Sequence, residues 1–166
     1  MRHKMLQWLY FPIVGAIFFL AVTADAAVVK LEIKEWEVAR ANSRPHDPAV
    51  SPDGSLWYTG MQSNSLGRLD PITGKIKEYP LRTPGSGPHG LVADSEGNIW
   101  LASRCEYRPG VQVLNPQGKE LAYISTGTEL PTNVGFGRGA DSNLLYLTSG
   151  KSLYKIRVGK KGYQLP

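Results

Sequence analysis

Cysteine is almost absent from this chain: Cys105 is the only one in 166 residues. A single thiol excludes an internal disulfide, and no CxxC or Cys/His spacing exists for a structural zinc, so stability has to come from packing. Cys105 itself reads as a buried, inert thiol. A strong charge of one sign is missing too, with 19 Lys and Arg against 14 Asp and Glu and a net charge of +5. The excess gathers at Lys151, Lys155, Arg157, Lys160 and Lys161. No helix or aromatic-interleaved groove accompanies these residues, so they read as a solvated edge and no nucleic-acid partner is expected. Beyond the N-terminal stretch no segment sustains a 3.6-residue hydrophobic period, which excludes a helical fold. Ser51, Ser103 and Thr148 lack the strand–turn–helix setting of a nucleophile elbow, so a serine hydrolase is not expected. The GFGRG run at residues 135–139 leads from strand to strand with no helix N-terminus, so it is not a phosphate loop.

Long apolar runs are confined to the N-terminus. Arg2 and Lys4 precede an uncharged, mostly apolar stretch, and Ala24-Asp25-Ala26 is a small-x-small cleavage pattern. Residues 1–26 therefore read as a secretory signal peptide, with the mature chain, 27–166, periplasmic or secreted. The uncharged run approaches the length of a spanning helix, so an uncleaved anchor is the alternative and the one route to a membrane association.

What the chain does have is a repeat. PHDPAVSPDGSLWYTG from Pro45 returns as PHGLVADSEGNIWLAS from Pro88, and a looser copy, PTNVGFGRGADSNLLYLTS, starts at Pro131. The step is 43 residues each time, and it carries Pro45, His46, Gly54 and Trp57 onto Pro88, His89, Gly97 and Trp100. Short strands separated by Gly, Pro and Asp turns within such a period predict an all-β fold of the β-propeller type, with about three four-stranded blades. Strands are expected at 48–51, 56–59, 65–69 and 75–81, then at 91–93, 99–103, 111–114 and 120–125, then at 133–136, 144–148 and 152–158. Residues 33–38 match the outer strands in pattern, with Trp36 in register with Tyr79. Three blades leave two sheet faces open. Two chains closing one six-bladed ring as a homodimer is one expectation, and descent from a longer parent is the other.

The segment PHDPAVSPDGSLWYTG…NSLGRLDPITGKIKEYPLRTPGSGPHGLVADSEGNIW resembles the streptogramin (virginiamycin B) lyase family of seven-bladed propellers. From Pro88 onward, PHGLVADSEGNIWLA…GVQVLNPQGKELAYI…PTNVGFG…LLYLTSGKSLYKIRV resembles the last blades of the gluconolactonase, senescence-marker-protein and LRE-like family of six-bladed propellers. The first resemblance implies a Glu-x-His in which the His takes a proton and the Glu helps to hold Mg²⁺. Here the positions two before the histidines are Arg44 and Gly87. The second implies a divalent ion held by a Glu, an Asn and the Asp of a PDG. Here the PDG-like position reads Pro88-His89-Gly90, and the Asn-like position matches only His46.

The chemistry of the repeated positions stands apart from those motifs. An exact repeat puts His46 and His89 at equivalent points of adjacent blades, where both face the axis. With Asp47 they can hold a divalent ion or serve as general base and orienter. The site read from the sequence therefore has His46 and His89 as catalytic residues, and His46, Asp47, His89 and Asn133 as ligands of Mg²⁺, Ca²⁺ or Zn²⁺. The competing reading is that a His in a P-H-x turn only caps a strand. Asp53, Asp94 and Glu96 sit in turns, where an acidic side chain satisfies backbone N–H groups. Trp57, Trp100, Tyr58 and Tyr146 read as sheet packing. The resemblance implies opening of a lactone or cyclic ester of a small-molecule substrate, and with these readings it gives an exported, metal-assisted enzyme as the expectation, with a non-catalytic binding or assembly module as the rival.

Overall fold

The computed structural model describes residues 31–38 and 40–165; the expected leader, 1–26, lies outside the described residues. The chain divides into Met1–Lys34 and Glu35–Pro166, and the second unit carries every strand found among the described residues. Its first sheet runs β1 (Pro45–Val50), β2 (Leu56–Gly60), β3 (Ser65–Leu69) and β4 (Ile76–Pro80). The second repeats that order with β5 (Pro88–Ala93), β6 (Ile99–Ser103), β7 (Gly110–Leu114) and β8 (Glu120–Ser125). The third holds β9 (Pro131–Phe136), β10 (Leu144–Ser149) and β11 (Ser152–Arg157). All pairs are antiparallel. The innermost strands are neighbours, β1 beside β5 and β5 beside β9, which is the blade arrangement of a propeller. The one helical element among the described residues is a single 3₁₀ turn at Gly139–Asp141.

The repeated residues build the repeated strands. Gly54 and Gly97 both adopt a left-handed backbone, φ +79 and +83, in the turn that reverses the chain into the second strand of each blade. Behind each turn an acceptor fixes the tryptophan that follows. The Trp57 indole N–H donates to Ser51 Oγ at 3.1 Å, and that of Trp100 to Asp94 Oδ2 at 3.0 Å. Asp94 is fully buried and also accepts from the backbone N–H groups of Glu96 and Asn98. Asp53 accepts the Ser55 N–H. These carboxylates are turn residues, as expected.

Two apolar seams join the sheets. Trp57, Leu66 and Tyr79 of the first sheet pack on Leu91, Ile99 and Leu101 of the second. Trp100, Val111 and Val113 on the opposite face of the second sheet pack on Val134, Leu145 and Leu147 of the third. Trp57 is stacked on Tyr79 at 5.8 Å, and Trp100 meets the edge of Phe136 at 5.3 Å. Tyr58 is buried with its hydroxyl donating to Glu78. Cys105 is free and buried.

Two expectations are corrected. The innermost strands start earlier than the pattern suggests, at Pro45, Pro88 and Pro131. Proline reads as a breaker, yet as the first residue of a strand it forfeits no required ladder bond. Residues 33–38 form no strand: Trp36 lies by Gly74 in the turn before β4, and Arg40 pairs with Glu78 at 2.9 Å. The third sheet has the three strands expected of its repeat among the described residues, with β11 largely exposed along its length. The basic residues of that strand are solvent-facing, as the composition suggested, and Lys160 beyond it pairs with Glu96.

Candidate metal and proton-transfer site

The strand register explains where the repeated histidines go. In the first sheet the partners step from Pro45↔Gly60 to Pro48↔Tyr58, so His46 and Asp47 together oppose one residue. In the second they step from Pro88↔Ser103 to Leu91↔Leu101, so His89 and Gly90 do the same. In the third, Thr132 is the extra residue between Pro131↔Ser149 and Asn133↔Thr148. A β-bulge thus recurs at the same point of three adjacent inner strands, and a bulge turns its side chains away from the regular alternation. The histidines lie inside β1 and β5, not in a turn before them.

The consequence is convergence. The rings of His46 and His89 have centroids 4.0 Å apart, tilted by 50°. His46 Nδ1 lies 3.0 Å from Asp47 Oδ1. One ligand atom from each of His46, Asp47 and His89 lies within 4.8 Å of the others. Three of the four residues read from the sequence are therefore together. Asn133 stands beside them against Gly90, but its Oδ1 accepts the Val134 N–H at 2.8 Å. In the repeat it corresponds to Asp47 and Gly90. The third counterpart of the histidines is Thr132, whose hydroxyl lies 2.8 Å from that of Thr148. One more 43-residue step from His89 would have found it.

The donors differ in state. Nδ1 of His89 is buried without a hydrogen-bond partner. Burial first, then the neighbouring His46 and the Arg104 guanidinium, holds the His89 imidazole below its ordinary value of 6.5, against the opposite pull of Asp47 and the Thr132 backbone. His89 is accordingly neutral at neutral pH, with a lone pair free. The Nδ1–H of His46 donates to Asp47, which orients that ring and leaves Nε2 as its basic nitrogen. A donor set that includes an imidazole nitrogen fits a borderline ion such as Zn²⁺ better than Mg²⁺ or Ca²⁺, which favour all-oxygen shells.

The depressed value has a stability consequence. The unfolded chain takes up the His89 proton first, so the contribution is complete above pH 6.5 and is lost as pH falls through the lower folded-state value. Thermal melts of the metal-free protein should show a midpoint that declines on acidification below 6.5, and His89→Gln should flatten that decline. A midpoint equally pH-dependent in both proteins would contradict the assignment.

The positions two before the histidines are also alike in conformation. Arg44 has φ +49 and Gly87 φ +47. Both enter the inner strand through a left-handed residue, a conformation that is free for Gly and costly for Arg. Neither supplies a carboxylate.

This architecture is that of a β-propeller, and comparison with known proteins agrees. Residues 14–108 match the Virginiamycin B lyase family, and residues 68–151 the SMP-30/Gluconolactonase/LRE-like region. The chain belongs to the virginiamycin B lyase family. The virginiamycin B lyase of Bordetella pertussis is 35% identical over 52 residues, 31% of this chain and 17% of that protein. That of Streptomyces coelicolor is 37% identical over 49 residues, 30% of this chain and 16% of that protein. Among solved structures, a streptogramin B lyase aligns with a TM-score of 0.59 at 25% identity, covering 77% of this chain and 45% of that one. A calcium-binding regucalcin from Agrobacterium tumefaciens aligns with a TM-score of 0.60 at 26% identity, covering 74% and 48%. The virginiamycin B lyase of Staphylococcus aureus, at 22% identity and a TM-score of 0.59, shares the fold. The matched stretch is thus under a fifth of each curated relative and under half of each solved chain.

Proposed function

We propose that this protein opens a cyclic ester by elimination, with the bulged histidines of β1 and β5 as its working groups. The observation that carries this reading is the juxtaposition of an Asp-oriented imidazole, His46, with a neutral imidazole whose Nδ1 is buried and unpartnered, His89. His89 and the Asp47 carboxylate would hold a divalent ion. Such an ion would polarise the ester carbonyl and make its carboxylate a better leaving group, while the proton removed comes from the carbon next to the alkyl carbon that bears the ester oxygen. His46 Nε2 takes the proton from carbon, and the Asp47 carboxylate, bonded at Nδ1, steadies the imidazolium that results. The two strand bulges keep the rings fixed relative to one another, so little reorganisation accompanies the transfer. Hydrolysis by a bound water is the lactonase version of the same site. The absence of the acid two before each histidine favours the rival, a binding module that has kept the fold and lost turnover.

Two measurements on the protein separate these readings. Titration calorimetry with Zn²⁺ should give one site per chain, weakened more than tenfold by His89→Ala, with His46→Ala leaving metal affinity within about tenfold of the wild type but abolishing turnover. Mass spectrometry of a cyclic depsipeptide such as virginiamycin B should show a linear product of unchanged mass. A product heavier by one water would replace the lyase reading with hydrolysis. Stoichiometric metal with no product in any form would leave the binding module.

A further inference from the structure

A polar side chain stands beside the apolar seam between the first two sheets. Trp57, Leu66, Leu91, Ile99 and Leu101 fill that seam. Thr59 follows two residues after Trp57, on the same face of β2, and is completely buried. A buried hydroxyl is costly unless it is hydrogen-bonded. That of Thr59 donates to the backbone carbonyl of His89 at 2.7 Å, crossing from the first sheet to the second.

The strand register gives this bond its meaning. The partners of β1 step from Pro45↔Gly60 to Pro48↔Tyr58, so the residue that His46 and Asp47 together oppose is Thr59. Its backbone therefore lies across the ladder from one histidine bulge while its side chain holds the carbonyl of the other. A bulge breaks the regular ladder of its own sheet, and here a donor from the neighbouring sheet meets the bulged residue. The same position in the second sheet, opposite His89 and Gly90, is Ala102, which has no hydroxyl to offer β9. A tie of this kind thus joins the two histidine bulges and is not repeated towards Thr132.

We infer that Thr59 is the positioning residue that sets the spacing of His46 and His89. This rests on the reading of the two histidines as one working site. Thr59 acts through the peptide of His89 and touches no reacting atom. Each ladder fixes only its own bulge, whereas the Thr59 hydroxyl ties both to one residue of β2 and so holds the ring centroids at 4.0 Å. The proton acceptor, His46 Nε2, and the ring that would hold the ion, His89, then keep a single geometry. Small displacements within such a pair cost large factors in rate.

Thr59→Ser and Thr59→Ala both lose the methyl and differ only in the hydroxyl, so the pair isolates the bond. In metal-free protein at neutral pH the probe is NMR cross-relaxation between the ring protons of His46 and His89. It should persist in the wild type and in Thr59→Ser and be lost in Thr59→Ala. Zn²⁺ affinity should fall about tenfold in Thr59→Ala and stay near that of the wild type in Thr59→Ser, as for loss of a group that orients a ligand. With the cyclic depsipeptide at saturating Zn²⁺, Thr59→Ala should lower kcat about tenfold and leave KM unchanged. Thr59→Val sets a methyl where the hydroxyl met the carbonyl; it is a second hydroxyl-free variant should Thr59→Ala fold poorly, and the same losses are expected. Tyr58→Phe removes the hydroxyl that bonds Glu78 on the other face of β2 and should change none of these readouts. Ring contact as strong in the hydroxyl-free variants as in Thr59→Ser overturns the proposal, and so does its loss in Tyr58→Phe. If the wild type takes up no Zn²⁺ and opens no ester, the working-site reading fails, and the ring contact still decides whether Thr59 spaces the histidines.

Discussion

Trp57→Ala should lower the stability of this protein by about 3–5 kcal/mol, the range for truncating a fully buried large aromatic. Trp57 is 1% exposed, stacked on Tyr79, and faces Leu91, Ile99 and Leu101 across the first seam. Its removal would leave a void between two sheets that cannot close without shifting both. It would also leave Ser51 Oγ without the indole donor and withdraw the ring beneath Arg68, whose guanidinium lies 5.6 Å from it. His46→Ala and His89→Ala should behave in the opposite way, with a small change in midpoint, since both rings lie at bulges outside the two apolar seams. Urea denaturation of the three variants checks this directly. Comparable losses in all three would mean that the histidines are structural, the strand-capping role weighed against the site from the outset.

The blades were legible because a repeat is a statement about packing. Residues that return at 43-residue spacing must satisfy the same local demands, and Gly54 and Gly97, or Trp57 and Trp100, do so with the same backbone and with an acceptor at the same repeat position, Ser51 and Asp94. The convergence of His46 with His89 followed from that periodicity and needed no knowledge of pairing. The bulges that bring it about could not be read, because a bulge is a property of two strands in register and neither strand carries it alone. Asn133 was chosen for its polarity, whereas the repeat pointed one residue earlier, to Thr132.

Residues 33–38 show the opposite failure. Their alternation is that of an outer strand, but alternation states only that one face is apolar and leaves open which partner covers it. Here Trp36 meets the Gly74 turn, and no ladder forms.

Gly90→Ala should cost about 3 kcal/mol and disable the site at the same time. An added methyl at Gly90 would stand 2.6 Å from the Asn133 Cα and closer still to the Asn133 side chain. The side chain could rotate away after giving up its bond to the Val134 N–H, but the Cα could not, so β5 and β9 would have to separate. That separation opens the second seam, where Val134 and Leu147 pack on the second sheet. It also moves His89, the residue before Gly90, relative to His46. The two effects can be told apart with Asn133→Ala as a second-site change. Removing the amide should restore part of the stability and little of the Zn²⁺ affinity, because the contact with the Asn133 backbone persists. Full recovery of both would show that the inner strands yield more easily than their close approach implies. Unchanged stability in Gly90→Ala itself would mean that the contact between β5 and β9 is not what fixes the histidine bulge.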